Sequence, residues 1–372
     1  MVKRLAVCLF LLLGVSGCRG GGPTNATALW PGANGFHVAA WLVPYDARSA
    51  QSFSNNFSAL DEINPVWYNL NPLYFTARSA PFVTNPGYQE SILTLARNHG
   101  VSVLPTIQNW GVRNFDPAII SKIIHDPGYR AKHVAEIVAL VAEKGYDGID
   151  IDYEGLPASA RQSFTAFIHE LGTALHRRQK LLSVAVYAKT AEASWDGAGA
   201  QDWAALAGHA DLLKVMVYDY HWAGFHAGPL APVDWLEAVL EYAADIPALR
   251  QKLVVGLPFY GLKWRSDGSA SEVMYRDALQ LMADHAIDGA SRSDSGHIDP
   301  ACRGYFQNVE PHFSFADGEG DVTVYYQDQI ALLKRLEVIR RYRHLVRGIT
   351  FWRLGGEDPA SWTQIRQFKA GA

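Results

Sequence analysis

Four acidic residues fall within the eight-residue run Asp147-Gly148-Ile149-Asp150-Ile151-Asp152-Tyr153-Glu154. Side chains alternate across a β-strand, so Asp150, Asp152 and Glu154 share one face while Ile149, Ile151 and Tyr153 share the other. If the aliphatic face is buried against helices, three carboxyls turn into the interior together. Like charges resist joint ionisation there, so some of these groups must keep their protons to unusually high pH. A carboxyl still protonated near neutrality can give a proton to a leaving group and take one back from water, which is general acid–base work. A solvated acidic edge or a divalent-cation site would also use clustered acids. The flanking isoleucines speak against the first, and a cation site recruits ligands from several loops rather than from one strand.

Such a strand needs a scaffold, and the rest of the chain supplies its pattern. Short β-branched or aromatic runs begin near Phe36, Asn64, Val101, Asp147, Leu182, Leu212, Leu253 and Arg347. Between them, residues 89–99, 131–144, 158–179 and 233–244 place apolar side chains at three and four spacing, as amphipathic helices do. Eight strand-then-helix units predict an α/β fold, a (β/α)8 TIM barrel, over residues 34–372. Glu154 is the last acid of its strand and so is nearest the C-terminal mouth, where the active sites of such barrels sit. The long interval after Leu253 predicts a small α+β insertion between strand 7 and helix 8, at about residues 264–328. Within it, His312-Phe-Ser-Phe and Val322-Thr-Val-Tyr-Tyr flank Asp317-Gly-Glu-Gly-Asp321 and read as a hairpin.

Composition narrows the class of function. With 33 Lys+Arg against 37 Asp+Glu the net charge is −4, which excludes a basic nucleic-acid binder. A 49% hydrophobic and 19% charged chain can bury one large core. The 12% aromatic content is high, and clefts that bind sugars use such flat faces.

Residues 1–17 read as an export signal: Lys3 and Arg4 precede an apolar stretch from Leu5 to Val15 that is too short to span a bilayer. The stretch ends Val15-Ser16-Gly17-Cys18 and resembles the lipobox of bacterial lipoproteins, in which the cysteine takes the lipid. Residues 18–33 then form a Gly-rich tether. The expectation is an exported, monomeric lipoprotein of the cell envelope, touching the membrane only through its anchor. Cys8 belongs to the signal and Cys18 to the anchor, so Cys302 is left alone and no intrachain disulfide is expected.

The acidic run resembles glycoside hydrolase family 18, whose fourth barrel strand carries Asp-x-x-Asp-x-Asp-x-Glu; Asp147, Asp150, Asp152 and Glu154 match all four positions. Met216-Val217-Tyr218-Asp219 matches the family's Met-x-Tyr-Asp on the sixth strand. Gly348-Ile-Thr-Phe-Trp352 matches the eighth, whose tryptophan floors the sugar pocket. Tyr218-Asp-Tyr-His-Trp222, Gly228-Pro-Leu-Ala, Gly256-Leu-Pro-Phe-Tyr-Gly261 and Phe351-Trp-Arg-Leu-Gly-Gly-Glu-Asp358 are similar to the spore-cortex N-acetylglucosaminidase branch. The third strand departs from typical chitinases, with Leu104-Pro-Thr-Ile-Gln-Asn-Trp110 in place of Ser-x-Gly-Gly.

The resemblance implies a retaining, substrate-assisted hydrolase of β-linked N-acetylglucosamine polymers, either chitin oligomers or the glycan of peptidoglycan. Family 18 is an exception to the usual pair of catalytic carboxylates, because the substrate's own acetamido group is the nucleophile. Glu154 would be the acid and then the base, Asp152 would hold the acetamido N–H, Asp150 would share a proton with Asp152, and Tyr218 would orient the acetamido carbonyl. Asp147 would support them. Trp352 would be the stacking floor, with Met216, Asp219 and Tyr187 lining the same mouth. Trp41, Trp67, Tyr68, Asn109, Trp110 and Trp222 follow strand ends and are candidates for outer subsites, although aromatics at a barrel mouth also pack. The family also contains lectin-like members that commonly lose the acid, and Glu154 is present. No cofactor or metal is expected: Asp219 and His221 are too few for a metal, Asp317-Gly-Glu-Gly-Asp321 lacks the spacing of a calcium loop, and no Gly-rich phosphate loop follows a strand.

Overall fold

The computed structural model describes residues 35–71, 76–79, 86–111, 114–292 and 309–371. The signal, the tether with Cys18, Cys302 and residues 293–308 of the expected insertion lie outside the described residues. The strands in chain order are β1 (His37–Leu42), β2 (Glu62–Asn71), β3 (Thr76–Ser79), β4 (Ser102–Val103), β5 (Thr106–Gln108), β6 (Gly148–Asp152), β7 (Leu181–Tyr187) and β8 (Leu212–Met216). They continue with β9 (Leu253–Pro258), β10 (Gly261–Arg265), β11 (Ala270–Val273), β12 (His312–Asp317), β13 (Gly320–Tyr325) and β14 (Val346–Trp352).

Parallel pairing runs β1-β14-β9-β8-β7-β6-β5-β2, and β2 returns to β1 through Ala39↔Glu62 to Leu42↔Pro65. That closes an eight-membered barrel, with β4 and β5 together filling the third position beside β2. The helices are α1 (Ala47–Asn56), α2 (Pro86–Asn98), α3 (Pro117–His125), α4 (Pro127–Lys144), α5 (Arg161–His176), α6 (Trp203–Ala207), α7 (Val233–Ala244), α8 (Tyr275–Asp284), α9 (Gln329–Arg341) and α10 (Ser361–Ala370). Their ends follow local chemistry. Asp116 and Asp126 cap α3 and α4 by accepting backbone N–H bonds ahead of Pro117 and Pro127, and Gly145 closes α4 at φ 66°.

The outward side chains of the strands, including Ile149, Ile151 and Tyr153, pack with the inner faces of the helices into the main apolar core. The barrel interior is layered differently. Leu104, Leu181, Leu212 and Val254 form an apolar plug at the bottom. Above the plug lies a polar layer containing Glu62, Asp150, Ser183 and Lys214, all fully buried. Above that, Trp41, Val66, Ala185 and Met216 form an apolar collar below the mouth.

The second sheet, ordered β11-β10-β13-β12, is antiparallel and lies between β9 and α9. Counted by strand-helix units, α9 is the seventh helix of the barrel and α10 the eighth. The hairpin forms, with β12 and β13 in register from His312↔Tyr325 to Asp317↔Gly320, and Arg265 makes two hydrogen bonds to the Asp317 carboxylate. Leu262, Trp264, Met274 and Tyr325 of this insertion pack beside Tyr218 and Trp352, so it stands at the C-terminal mouth. Buried Glu310 ties it down, accepting from Leu230 and Ala231 N–H at 2.8 Å each and pairing with Arg335.

Candidate active site

β6 turns Asp150 and Asp152 inward, both buried, while Glu154 follows at the mouth and is only partly covered. Main-chain bonds fix where Glu154 sits. Asn109 donates from Nδ2 to the Glu154 carbonyl at 2.9 Å and accepts the Glu154 N–H at Oδ1, also at 2.9 Å. With its amide committed to Glu154 and to the Asp116 carbonyl, Asn109 braces the acid instead of forming an outer subsite.

The carboxyls of Asp152 and Glu154 interact directly, and both hold protons unusually well. Burial raises Asp152 well above the carboxylate range, with the charges of Glu154 and Asp150 adding to it. Withdrawal from water pushes Glu154 up to about 7, partly offset by a hydrogen bond from Tyr187, while Asp219 adds to the rise. One proton shared between two crowded acids is the economical state near neutral pH. Asp152 Oδ1 has no hydrogen-bond partner in the protein. Tyr218 follows β8, and burial together with the charges of Asp152, Glu154 and Asp219 keeps its hydroxyl protonated. Its ring has room because β9 carries Gly256 alongside, where a Cβ would lie 3.3 Å from the Tyr218 ring and 2.9 Å from the Val215 carbonyl. Asp219 adopts φ 58° directly afterwards, a left-handed conformation that short polar residues tolerate, and accepts a hydrogen bond from Tyr260.

Above these groups opens a cavity of about 780 Å³ lined by Tyr187, Met216, Tyr218, Asp219, Trp195 and Trp222, among others. Trp222 and Trp195 are each 54% exposed, a large apolar area to leave in water. Trp352, the last residue of β14, packs edge-on against Trp41 with ring centroids 5.8 Å apart.

Several sequence candidates stand elsewhere. Trp41 is 1% exposed and lies beneath the floor, donating from Nε1 to Asp150 at 3.0 Å. Trp67 and Tyr68 belong to the main core under the helices, and the Tyr68 hydroxyl bonds to Tyr146 at 2.7 Å. The pairing of β2 with β5 shifts between Val66 and Tyr68, so both aromatics turn outward where strict alternation allows one. Trp110 is half-buried, edge-on to Phe115. Asp147 is exposed at the other end of β6 and accepts the Val103 N–H at 2.8 Å, a strand-pairing role. Asp150, expected to share a proton with Asp152, is surrounded by Trp41, Thr106, Ser183 and Lys214. His221 bonds to the Pro229 carbonyl through Nδ1, so it and Asp219 engage different partners. Among the described residues no group of three or more His, Cys, Asp or Glu side chains is placed to hold a metal ion.

Sequence reasoning missed His37, Glu62 and Lys214. The available signal was periodic: Lys214 alternates with Met216 and Tyr218 along β8 and must face inward with them.

A closed barrel with paired acids at its C-terminal mouth, opening on an aromatic-lined cleft, is the architecture of a glycosidase. Residues 51–357 match the model of the glycosyl hydrolases family 18, and the chain belongs to that family. A Bacillus subtilis protein named for a sporulation-specific glycosylase is 28% identical over 72% of this chain, and the match spans 61% of that relative's length. The cortical fragment-lytic enzyme of Bacillus subtilis is 25% identical over 87% of this chain and 72% of its own. The chitinase of Chromobacterium violaceum superposes with a TM-score of 0.75 at 23% identity, covering 90% of this chain and 98% of that one. The spore cortex-lytic enzyme of Bacillus megaterium does so at 0.75 and 20%, covering 91% and 75%. At these identities the two structures speak for the fold alone.

Proposed function

We propose that the chain is a retaining, substrate-assisted hydrolase of β-linked N-acetylglucosamine polymers, with the glycan of peptidoglycan or chitin oligomers as substrate. The observation that carries the reading is the Asp152–Glu154 pair, in direct contact and pushed toward its protonated forms by burial, beside the Tyr218 hydroxyl at the mouth of an aromatic-lined cleft. In the first step the acetamido carbonyl oxygen attacks the anomeric carbon as the glycosidic C–O bond breaks, and the Glu154 proton passes to the leaving oxygen. Asp152 accepts the acetamido N–H and offsets the positive charge that develops on the oxazolinium ring. The Tyr218 hydroxyl holds the carbonyl in line for attack, and alignment of this kind can lower the barrier by several kcal/mol. Water then adds to the anomeric carbon, gives its proton to the Glu154 carboxylate and restores the acetamido group with net retention.

The names of the Bacillus relatives favour peptidoglycan over chitin. We also infer that the protein is exported and anchored through Cys18, on the strength of its lipobox-like leader. Incubating residues 34–372 with purified sacculi and with chitin oligomers, followed by mass analysis of the products, tests the reading. Release of fragments with reducing N-acetylglucosamine ends supports it. Saturable binding of both glycans without any product identifies a sugar-binding protein instead.

A further inference from the structure

Below the acid pair the barrel buries a cation for which the proposed chemistry has no use. Lys214 is fully buried on β8, one inward position beneath Met216. Its ammonium reaches Glu62 Oε1 at 2.6 Å, Asp150 Oδ1 at 3.0 Å and Ser183 Oγ at 3.1 Å. It also lies 5.4 Å from the centre of the Trp41 ring. Dehydrating an ammonium costs several kcal/mol unless each proton finds an acceptor, and here three protons meet three acceptors.

Glu62 is equally well held. Asn64 Nδ2 donates to its Oε1 at 2.7 Å and His37 Nε2 lies 3.2 Å from its Oε2. Burial alone would raise Glu62, but Lys214 and His37 outweigh it and hold the carboxyl down at about 2.

Asp150 is held by donors on both oxygens. Oδ1 meets Lys214 and the Ser183 hydroxyl, and Oδ2 meets Trp41 Nε1 at 3.0 Å and the Thr106 hydroxyl at 2.9 Å. Each oxygen thus faces one group, an ammonium or an indole N–H, that can only donate. That set suits a carboxylate: an obligate donor sits on each oxygen, one of them an ammonium, and only the Thr106 and Ser183 hydroxyls could accept from a carboxylic O–H. Asp152, two residues on, has one oxygen without a partner and its other carboxyl contact with Glu154.

Building on the hydrolase reading of the acid pair, we propose that Lys214 is a positioning residue that clamps Asp150 as a carboxylate, so the mobile proton of the three acids is confined to Asp152 and Glu154. The groups facing the acids are His37 on β1, Glu62 on β2, Tyr187 on β7, Lys214 on β8, and Tyr218 and Asp219 just beyond it. Lys214 supplies the positive charge nearest Asp150. A permanent anion at Asp150 favours the protonated form of its neighbour Asp152. Asp152 can then pass its proton to Glu154 and, as a carboxylate, turn to accept the substrate's acetamido N–H while Glu154 protonates the leaving oxygen.

The test is a carbon-13 NMR titration of the intact chain with labelled aspartate carboxyls, joined to steady-state kinetics on N-acetylglucosamine oligomers. In the wild type the Asp150 carboxyl signal should stay constant between about pH 5 and 8 while that of Asp152 moves. In the double variant Lys214→Met/Glu62→Gln, which removes the Lys214–Glu62 ion pair as a unit and leaves Asp150 without its ammonium, Asp150 should titrate within that window. The same variant should lose kcat by on the order of 10-fold with KM little changed, and the alkaline limb of its pH profile should move to higher pH. A wild-type Asp150 that takes up a proton in that window overturns the proposal and needs no variant to be seen. So does a folded double variant whose kcat and pH profile match the wild type. Failure of the hydrolase reading would look different, with no wild-type turnover whatever the carboxyl titrations show.

Discussion

Replacing Glu154 by glutamine should make the protein more stable and nearly inactive at once. The side chain keeps its shape but can no longer donate a proton, so turnover should fall on the order of 10²-fold or more while oligosaccharide binding survives. The stability effect follows from the same crowding. Withdrawal from water is the first cause of the rise of Glu154 from an ordinary 4.5 to about 7. That difference of about 2.5, at about 1.4 kcal/mol each, sets a ceiling near 3.5 kcal/mol for what ionising Glu154 costs the fold. Partial exposure and the proton shared with Asp152 reduce this to about 1–2 kcal/mol. A carboxyl whose pKa is raised on folding binds its proton more tightly in the folded state. The penalty is therefore absent below about pH 4.5, grows as pH rises, and is complete above about pH 7. For a chain of this size, Glu154→Gln should melt about 1–3 °C above the wild type at pH 8 and within about 1 °C of it at pH 4.5. Scanning calorimetry of both proteins at the two pH values checks this. A variant less stable than the wild type at pH 8 would refute the claim that the acid cluster is held at a cost.

The alkaline limb of kcat/KM for the wild type should fall near pH 7, because the free enzyme needs Glu154 protonated; a pH–rate series on a chromogenic chitobioside reads it. Asp152→Asn should slow turnover more than it weakens binding, and cellulose oligomers, which lack the acetamido nucleophile, should be inert. Trapping a glycosyl ester on Asp152 by mass spectrometry would count against substrate assistance. Trp222→Ala removes a ring that is 54% exposed over the cleft and should weaken oligosaccharide binding about tenfold, by calorimetric titration, with little change in melting temperature. Cys18→Ala should leave the protein soluble or uncleaved, and a wild-type mature N-terminus at another residue would exclude lipidation there.

The alternation of aspartates and isoleucines on β6 made the heart of the site legible, because a two-residue period assigns every side chain of a strand to a face. Met216 and Tyr218 came instead from the resemblance of Met216-Val217-Tyr218-Asp219 to the family's sixth-strand motif. Strand-end position misled at Trp67 and Tyr68, where a local irregularity in pairing turns consecutive residues outward, and a one-residue slip reverses every face beyond it. Trp41 and Asn109 do come from strand ends near the mouth, but one is used to hold Asp150 from below and the other to hold the Glu154 backbone. Residue type and position alone cannot distinguish a side chain that meets the substrate from one that supports the acid. Glu62 and Lys214 are 152 positions apart in sequence, and only closure of the barrel brings them together.

The layering of the interior explains why the acids at the mouth are unequal. Trp41, Val66, Ala185 and Met216 form an apolar collar that separates the charge layer from the cleft water. Electrostatic interactions across that collar are weakly screened, so fixed charges below it act strongly on Asp152, which is buried at the collar's level. Glu154 stands one inward position higher and is partly open to the cleft. Of two acids sharing a proton, the one in contact with water is the one that can exchange it with solvent and substrate. The other, buried just above the charge layer, serves as the internal store. The direction in which the proton moves is thus set by depth in the barrel, and any change that admits water through the collar, such as Met216→Ala, should weaken the distinction. Its signature would be a flatter pH–rate profile with an unchanged fold, and a Met216→Ala profile as sharp as that of the wild type would show that depth does not set the order.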